Sequence, residues 1–215
     1  MVYTASHGIA AIGEDLATQQ RLNGAICCQR TGHETDDQWL FTADDIPTDP
    51  DSPFLEGAVF FQFACYGYGT PAQSDFSHWD VGYPETTAPQ DFIAALPRRL
   101  LAHPRGPIAY IGHLDTAWLH GFDDPDDPDM PELLPGRWNQ RLAPFGSVLE
   151  ALLGSGQPPG MAMEGLNLRY SMLNSQLTRY LDQLERRILV DSPQLRAQLA
   201  QDFICLLYTS PSPRD

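Results

Sequence analysis

Short apolar runs that end in glycine- or proline-rich turns dominate the first half of the chain. The clearest run is Gly57–Ala64, GAVFFQFA, which is apolar on both faces, as expected for a strand in the middle of a parallel sheet. Val2–Ser6 and Pro107–Gly112 have the same buried-strand character. The shorter runs Ala25–Gln29 and Gln38–Thr42 predict further strands.

Patterns typical of helices lie between and after these strands. Composition predicts a helix at Asp91–His103, with Pro97 as a kink or an early end. Gly13–Gly24 is polar, and its pattern does not distinguish a helix from a loop. Helical patterns then occupy about 137–153, 161–188 and 193–204. In the middle one, apolar residues recur every three or four positions, which predicts an amphipathic helix: Leu166, Tyr170, Leu173, Leu177, Leu181, Leu184 and Ile188.

Buried strands separated by helices and loops predict an α/β domain with a mainly parallel sheet. In such sheets, active sites collect at the carboxyl ends of the strands. His7, Cys65 and the pair Gly112-His113 each follow a predicted strand directly. If the strands are parallel, these points lie at one edge of the sheet, although they are far apart in the chain.

Charge narrows the classes of partner. The 215-residue chain has 13 Lys and Arg residues against 28 Asp and Glu residues, a net charge of −15. We therefore expect neither a nucleic acid nor an anionic membrane as partner, because both require clustered basic residues. No run approaches the roughly 18 apolar residues of a membrane span. The sequence leaves the compartment open, with the cytoplasm favoured.

His7 and Cys65 are the residue types of a general acid/base and a nucleophile. A thiolate is the reactive form of cysteine, and an imidazole can take the thiol proton and return it to a leaving amine. The backbone N–H groups of Gly8 and Cys65 are candidates for holding the oxyanion of a tetrahedral intermediate. A second His-Gly pair, His120-Gly121, shows that the dipeptide alone means little. The argument for a site rests on the combination of His7-Gly8 and Cys65, each at the end of a predicted strand.

Other polar residues near the predicted strand ends suggest a pocket rather than a metal site. The spacing of His113, Asp115 and His120 does not demand a metal, so we expect no metal and no cofactor. Asp115 and Trp118 are candidates for lining a substrate pocket, where an acidic side chain would suit a Lys or Arg of the substrate. The aspartate-rich loop 123–129 lacks the glycine of an EF-hand and is expected to be a solvated loop.

The spacing of the cysteines and the absence of two common motifs argue against several other classes of protein. Cys27, Cys28 and Cys205 form no C-x-x-C motif with Cys65 or with one another, which argues against a zinc ribbon or a thioredoxin site. We expect them to be reduced, partly buried thiols. The chain has neither G-x-S-x-G nor G-x-G-x-x-G, which disfavours an α/β-hydrolase and a dinucleotide-binding enzyme.

The order of these segments resembles the caspase-like superfamily of cysteine peptidases, which includes caspases, metacaspases, gingipains and CHAT domains. Val2–Gly8 is similar to the histidine block of the family, and Val59–Gly69, VFFQFACYGYG, to its cysteine block. Residues 40–46, LFTADDI, resemble the segment before the cysteine strand in CHAT and gingipain-like members. Residues 106–118, GPIAYIGHLDTAW, resemble the strand after the cysteine in gingipain-like members. The resemblance covers about residues 2–122.

The resemblance implies a caspase-like three-layer α/β sandwich in which His7 is the general acid/base and Cys65 the nucleophile. It implies a cysteine endopeptidase that hydrolyses a peptide or protein substrate through a thioester, with cleavage after Lys or Arg as in gingipains and metacaspases. Tyr66 stands where caspases frequently have a small or charged residue, which argues against specificity for Asp. The alternative is a caspase-like fold that acts as a non-catalytic binding or scaffolding module.

We expect three regions: a partial caspase-like core at 1–122, a helical extension at 123–204 and a non-native tail at 205–215. The core is expected to lack its first strands, because a core strand begins at the second residue. The tail, LLYTSPSPRD at 206–215, resembles a translated sequencing adaptor. A natural Ser/Pro-rich terminus is the alternative. Both ends suggest a longer parent protein with other domains.

Overall fold

The structure is a computed structural model that describes residues 1–29, 39–74, 84–117, 143–185 and 208–211. The chain divides into two compact units, Met1–Ala117 with Leu207–Asp215, and Trp118–Leu206. The strands of the first unit are β1 (Val2–Ala5), β2 (Ile26–Cys27), β3 (Leu40–Phe41), β4 (Val59–Phe63), β5 (Gly69–Thr70), β6 (Phe92–Ile93), β7 (Ala109–Gly112) and β8 (Tyr208–Pro211). Its helices are α1 (Leu16–Leu22), a 3-10 helix (Ala43–Asp45) and α2 (Ala95–Ala102).

The main sheet has the strand order β1-β4-β7-β8. The first three strands are parallel, with Ala5 opposite Phe63 and Phe61 opposite Ile111. All four residues of β7 and the three central residues of β4 are buried, as the apolar runs predict for inner strands. The prediction of an α/β fold with a parallel sheet is therefore confirmed.

Strand β8 lies within the segment that the sequence suggests is a non-native tail. It pairs with β7 in antiparallel orientation, and Thr209 lies opposite Ile111. The main sheet therefore has one antiparallel edge strand beside its three parallel ones.

The two short runs at 25–29 and 38–42 form a separate structure. They give β2 and β3, which form a two-stranded antiparallel sheet, with Ile26 opposite Phe41. Their register is fixed by a few hydrogen bonds, including one from the Cys28 N–H to the Trp39 carbonyl at 2.9 Å. The structure therefore places these two runs beside the parallel sheet and not within it.

Helix α2 covers the centre of the main sheet on one face. Leu96 and Leu100 are fully buried and pack in one cluster with Phe60 of β4 and Tyr110 of β7. The rings of Phe60 and Tyr110 stack with centroids 5.0 Å apart. Burial of each such side chain stabilises the fold by about 1.5–3 kcal/mol. Pro97 lies in the first turn of α2, where its missing N–H has no helical acceptor in any case, so it does not break the helix.

The described part of the second unit is helical. It contains α3 (Ala143–Leu153), α4 (Pro159–Ala162) and α5 (Glu164–Glu185). Helices α3 and α5 lie within two of the predicted helical regions, and α4 begins two residues before the second of these. The predicted helix at 193–204 lies outside the described residues. Val148 and Leu166 are buried, whereas Tyr170 of the predicted apolar stripe is 41% exposed. Within the described ranges, no helix is long and apolar enough to cross a membrane.

Candidate active site

The loops that follow β1 and β4 lie side by side at one edge of the main sheet. The two strands are parallel neighbours, and the Ser6 N–H continues their pairing by donating to the Phe63 carbonyl at 3.2 Å. His7 and Cys65 each stand two residues beyond the last paired residue of their strand. The strand order therefore brings the two candidate catalytic residues to equivalent positions.

Gly8 packs directly against the backbone of Cys65. A Cβ built on Gly8 would overlap the Cys65 carbonyl oxygen and would lie 2.6 Å from both the Cys65 carbonyl carbon and its nitrogen. Real Cβ atoms do not approach other atoms this closely, so only glycine fits at this position. The glycine after the histidine thus allows the two loops to pack in direct contact.

The chain turns sharply at Cys65. The Gly67 N–H donates to the Ala64 carbonyl at 3.2 Å, which closes a four-residue turn with Cys65 and Tyr66 at its centre. Tyr66 has φ = 56°, a left-handed conformation that costs about 1–2 kcal/mol for a residue with a Cβ. Its side chain is only 1% exposed, and this burial offsets the cost. The strained turn holds Cys65 at its corner.

A buried polar network supports this turn from below. The Gln62 side-chain amide donates to the Gly24 carbonyl at 3.1 Å. The Tyr110 hydroxyl lies within hydrogen-bond reach of the Gln62 side-chain carbonyl and of the Gly67 carbonyl, the latter at 3.1 Å. Because Gln62 and Tyr110 are fully buried, the network joins β4, β7 and the turn with no competition from water.

The sulfur of Cys65 is held by the segment after β7. The Ala117 N–H donates to Sγ at 3.3 Å, and Sγ lies 3.7 Å from the Ala117 carbonyl oxygen. Among the described residues, no hydrogen bond joins the exposed His7 imidazole to this sulfur. The backbone N–H groups of Gly8 and Cys65 likewise form no hydrogen bond with another described residue. These two N–H groups are therefore available to an incoming oxygen.

A cleft of about 590 Å³ opens beside the histidine loop. Its described lining residues come from the loop after β1 and from the β2–β3 pair: Ser6, His7, Gly8, Ile9, Cys27, Cys28, Gln29 and Trp39. The sequence points to His7 and Gly8 but not to the lining residues of the β2–β3 pair. Residues so far apart in the chain are joined only by the pairing of two two-residue strands, which leaves little trace in the sequence pattern.

Cys27 differs from the other thiols around the cleft. Burial raises its pKa, and the nearby Cys28 and Cys65 raise it further because a second negative charge would be repelled. Cys27 is half-buried and Cys28 exposed, and neither forms a disulfide. Cys27 therefore stays a neutral thiol at neutral pH and acts as part of the cleft wall.

Asp115 has a structural role in the described fold. Its Oδ2 accepts a hydrogen bond from the Ser74 hydroxyl at 2.8 Å, and its Oδ1 accepts one from the Thr116 N–H at 2.7 Å. Its backbone carbonyl accepts from the Tyr66 N–H at 3.0 Å. Asp115 does not line the cleft beside His7. Trp118, the other candidate pocket residue, lies outside the described residues.

His113 follows β7 but is turned into the core. It is 2% exposed, and its ring packs edge-on against Phe63 with centroids 4.8 Å apart. Burial lowers its pKa from 6.5 to about 3, and neither ring nitrogen has a hydrogen-bond partner among the described residues. Within the part of the chain that the structure describes, no three His, Cys, Asp or Glu side chains converge as a metal site would require.

Comparison of the chain with family models, with curated proteins and with solved structures finds no match. The chemistry that the site can perform is therefore inferred from the arrangement of its residues. A thiol at a strained turn, an exposed imidazole on the adjoining loop and two unbonded N–H groups are the parts that acyl transfer to sulfur requires.

Proposed function

We propose that the chain is a cysteine endopeptidase of the caspase-like type, with Cys65 as nucleophile and His7 as general acid/base. The observation that carries the proposal is the contact between Gly8 and Cys65 at the ends of two adjacent parallel strands. This contact puts the histidine loop and the thiol at one sheet edge, in the order that the family uses. The three-layer sandwich of that family is part of the same proposal.

The reaction follows from these groups. The thiol proton of Cys65 passes to His7, and the sulfur lone pair forms a bond to the scissile carbonyl carbon while the C=O π electrons move to oxygen. The N–H groups of Gly8 and Cys65 hold this oxyanion. Collapse of the intermediate breaks the C–N bond as His7 gives its proton to the leaving amine, and a thioester remains.

Water completes the cycle. His7 takes a proton from a water molecule, whose oxygen adds to the thioester carbonyl. Expulsion of the sulfur, which regains its proton from His7, releases the carboxylic acid and restores the thiol. For the first step, Cys65 Sγ has to leave the Ala117 N–H and turn toward His7, since the observed hydrogen bond is to Ala117.

That same hydrogen bond favours a second candidate function. A thiol held by Ala117 and not by His7 suits a caspase-like fold that binds a peptide or another protein without cleaving it. In that case the cleft beside His7 is the binding surface and Cys65 a structural residue.

Activity-directed labelling distinguishes the two functions. The complete chain is incubated with a peptide library and, separately, with a peptidyl acyloxymethyl ketone, and the labelled cysteine is located by mass spectrometry. The peptidase proposal predicts cleavage, labelling at Cys65, and loss of both in Cys65→Ala. Cys28→Ala is the matched control, because it removes an exposed thiol of the same cleft, and it should retain both. Unchanged cleavage by Cys65→Ala would refute the peptidase assignment, and absence of cleavage and labelling would favour the binding module.

A further inference from the structure

The cleft beside His7 also bears on which substrates the site accepts. We propose that it receives a large apolar side chain, aromatic or branched aliphatic, from the residue that flanks the scissile bond, and that Ile9 and Trp39 select this side chain. This inference rests on the proposed peptidase function and names its substrate class.

The two selecting residues line the cleft from different segments of the chain. Ile9 follows the His7-Gly8 pair directly and is half-buried. Trp39 is half-buried as well, and its carbonyl is fastened to β2 by the hydrogen bond from the Cys28 N–H at 2.9 Å. Cys27, a neutral thiol, adds to the wall on the Trp39 side. An apolar side chain that enters the cleft exchanges water for contacts with the carbon atoms of Ile9 and Trp39 and the sulfur of Cys27.

The volume of the cleft fits such an occupant. About 590 Å³ lies in the range of roughly 300–1,000 Å³ that is usual for sites that bind small molecules. It accepts the largest side chains together with part of the adjoining peptide backbone. A small side chain would leave most of the cleft filled with water and would gain little.

The charges of the described lining residues disfavour a basic side chain. None of these residues carries a carboxylate, so a Lys or Arg side chain gains no ion pair from the described part of the cleft to offset its loss of water. Asp115, the acidic residue that the sequence suggests for this purpose, does not line this cleft, and its carboxylate accepts hydrogen bonds from Ser74 and Thr116. The side chain that enters this cleft therefore meets Ile9 and Trp39 and not Asp115.

The cleft is continuous with the proposed catalytic edge. His7 and Gly8 line it, and Gly8 touches the backbone of Cys65. A side chain in the cleft thus places its own peptide bond beside the N–H groups of Gly8 and Cys65. The loop after β1 therefore both contacts the selected side chain and positions the reacting carbonyl.

Binding and cleavage are measured separately in the test. Fluorescence anisotropy follows labelled peptides that differ only in one residue, Phe, Leu, Lys or Asp, as they bind to the complete chain carrying Cys65→Ala. Cleavage of the same peptides is measured with the wild type. We expect the Phe and Leu peptides to bind about tenfold or more tightly than the Lys and Asp peptides. Adding Trp39→Ala should remove most of this difference.

A charge placed in the wall gives a second, independent variant. Ile9→Asp should weaken binding of the Phe peptide and strengthen binding of the Lys peptide, so that the order of the two is reversed. Ile108→Asp, at an exposed isoleucine outside the cleft, is the matched control and should leave the order unchanged. Circular dichroism of each variant verifies folding.

The outcomes separate this inference from the peptidase proposal. Tighter binding of the Lys or Asp peptide, equal binding of all four, or no binding at all overturns the apolar preference. Cleavage of the Lys peptide in preference to the Phe peptide leaves the peptidase standing and overturns the inference. Selective binding of the Phe peptide that depends on Trp39, without cleavage by the wild type, supports the cleft and overturns the peptidase.

Discussion

Protonation of His113 is predicted to control how the fold responds to acid. In the native state its pKa is lowered from 6.5 to about 3 because the ring is buried. The unfolded chain binds the proton near pH 6.5 and the native state only near pH 3, so protons favour unfolding between these values. The stability is therefore fully present above pH 6.5 and declines as the pH falls toward 3.

The size of the effect follows from the two pKa values. A shift of one unit corresponds to about 1.4 kcal/mol, so the complete effect is on the order of 5 kcal/mol. Between pH 7 and pH 5, this residue alone removes about 2 kcal/mol from the free energy of unfolding. That is a large part of the roughly 5–15 kcal/mol that a domain usually has.

Urea unfolding at pH 7 and pH 5, followed by circular dichroism, measures this difference. The variant His113→Leu fills a similar volume and removes two buried nitrogens that have no hydrogen-bond partner in the described part of the chain. Its stability at pH 7 should thus stay within about 1 kcal/mol of the wild type. Between pH 7 and pH 5, the variant should lose about 2 kcal/mol less than the wild type.

A variant at a residue without a titratable group serves as the control. Ile108→Leu changes an exposed apolar side chain, and it should retain the pH dependence of the wild type. If His113→Leu and the wild type lose the same free energy between pH 7 and pH 5, the imidazole is not buried in its neutral form and the reasoning fails.

Three further predictions concern the site and its support. Gly8→Ala should abolish peptide cleavage by driving the histidine loop away from the thiol. The control is Gly160→Ala, which adds a methyl group where there is open space and should leave the cleavage rate unchanged. Cleavage by Gly8→Ala would contradict the close contact. Gln62→Leu should lower the free energy of unfolding in urea by about 2–4 kcal/mol, because its partners stay buried, and a loss below about 1 kcal/mol would argue against the network. Iodoacetamide should alkylate Cys27 more slowly than Cys28 at pH 7, since burial raises the Cys27 pKa; equal rates in peptide mapping would contradict this.

The inner strands could be predicted from the sequence because burial on both faces leaves a clear pattern. Gly57–Ala64 predicts β4, and the structure has it at Val59–Phe63. Helix α1 left no comparable signal. Its buried residue is Gln19, which donates to the Thr87 carbonyl at 3.3 Å. A helix that packs through a polar side chain has no apolar stripe, so its sequence looks like a loop.

The candidate site could be predicted only in part. The strand ends place His7 and Cys65 at one edge, and the parallel sheet confirms that the loops meet there. The wall formed by Cys27 and Trp39 could not be predicted, because a pairing of two-residue strands has no period to detect. The use of Asp115 on Ser74 depends on a contact between distant loops, which the local pattern does not contain.

The contact between Gly8 and Cys65 has a consequence for how the site can diverge. Because neither backbone can shift without displacing the other, the two N–H groups keep a constant spacing and behave as one rigid part. The wall around Trp39 belongs to a separate strand pair, which can change its side chains without altering that spacing. Under the proposed function, the site is therefore modular: the reacting groups stay constant, while changes in the β2–β3 pair alter which side chain is accepted.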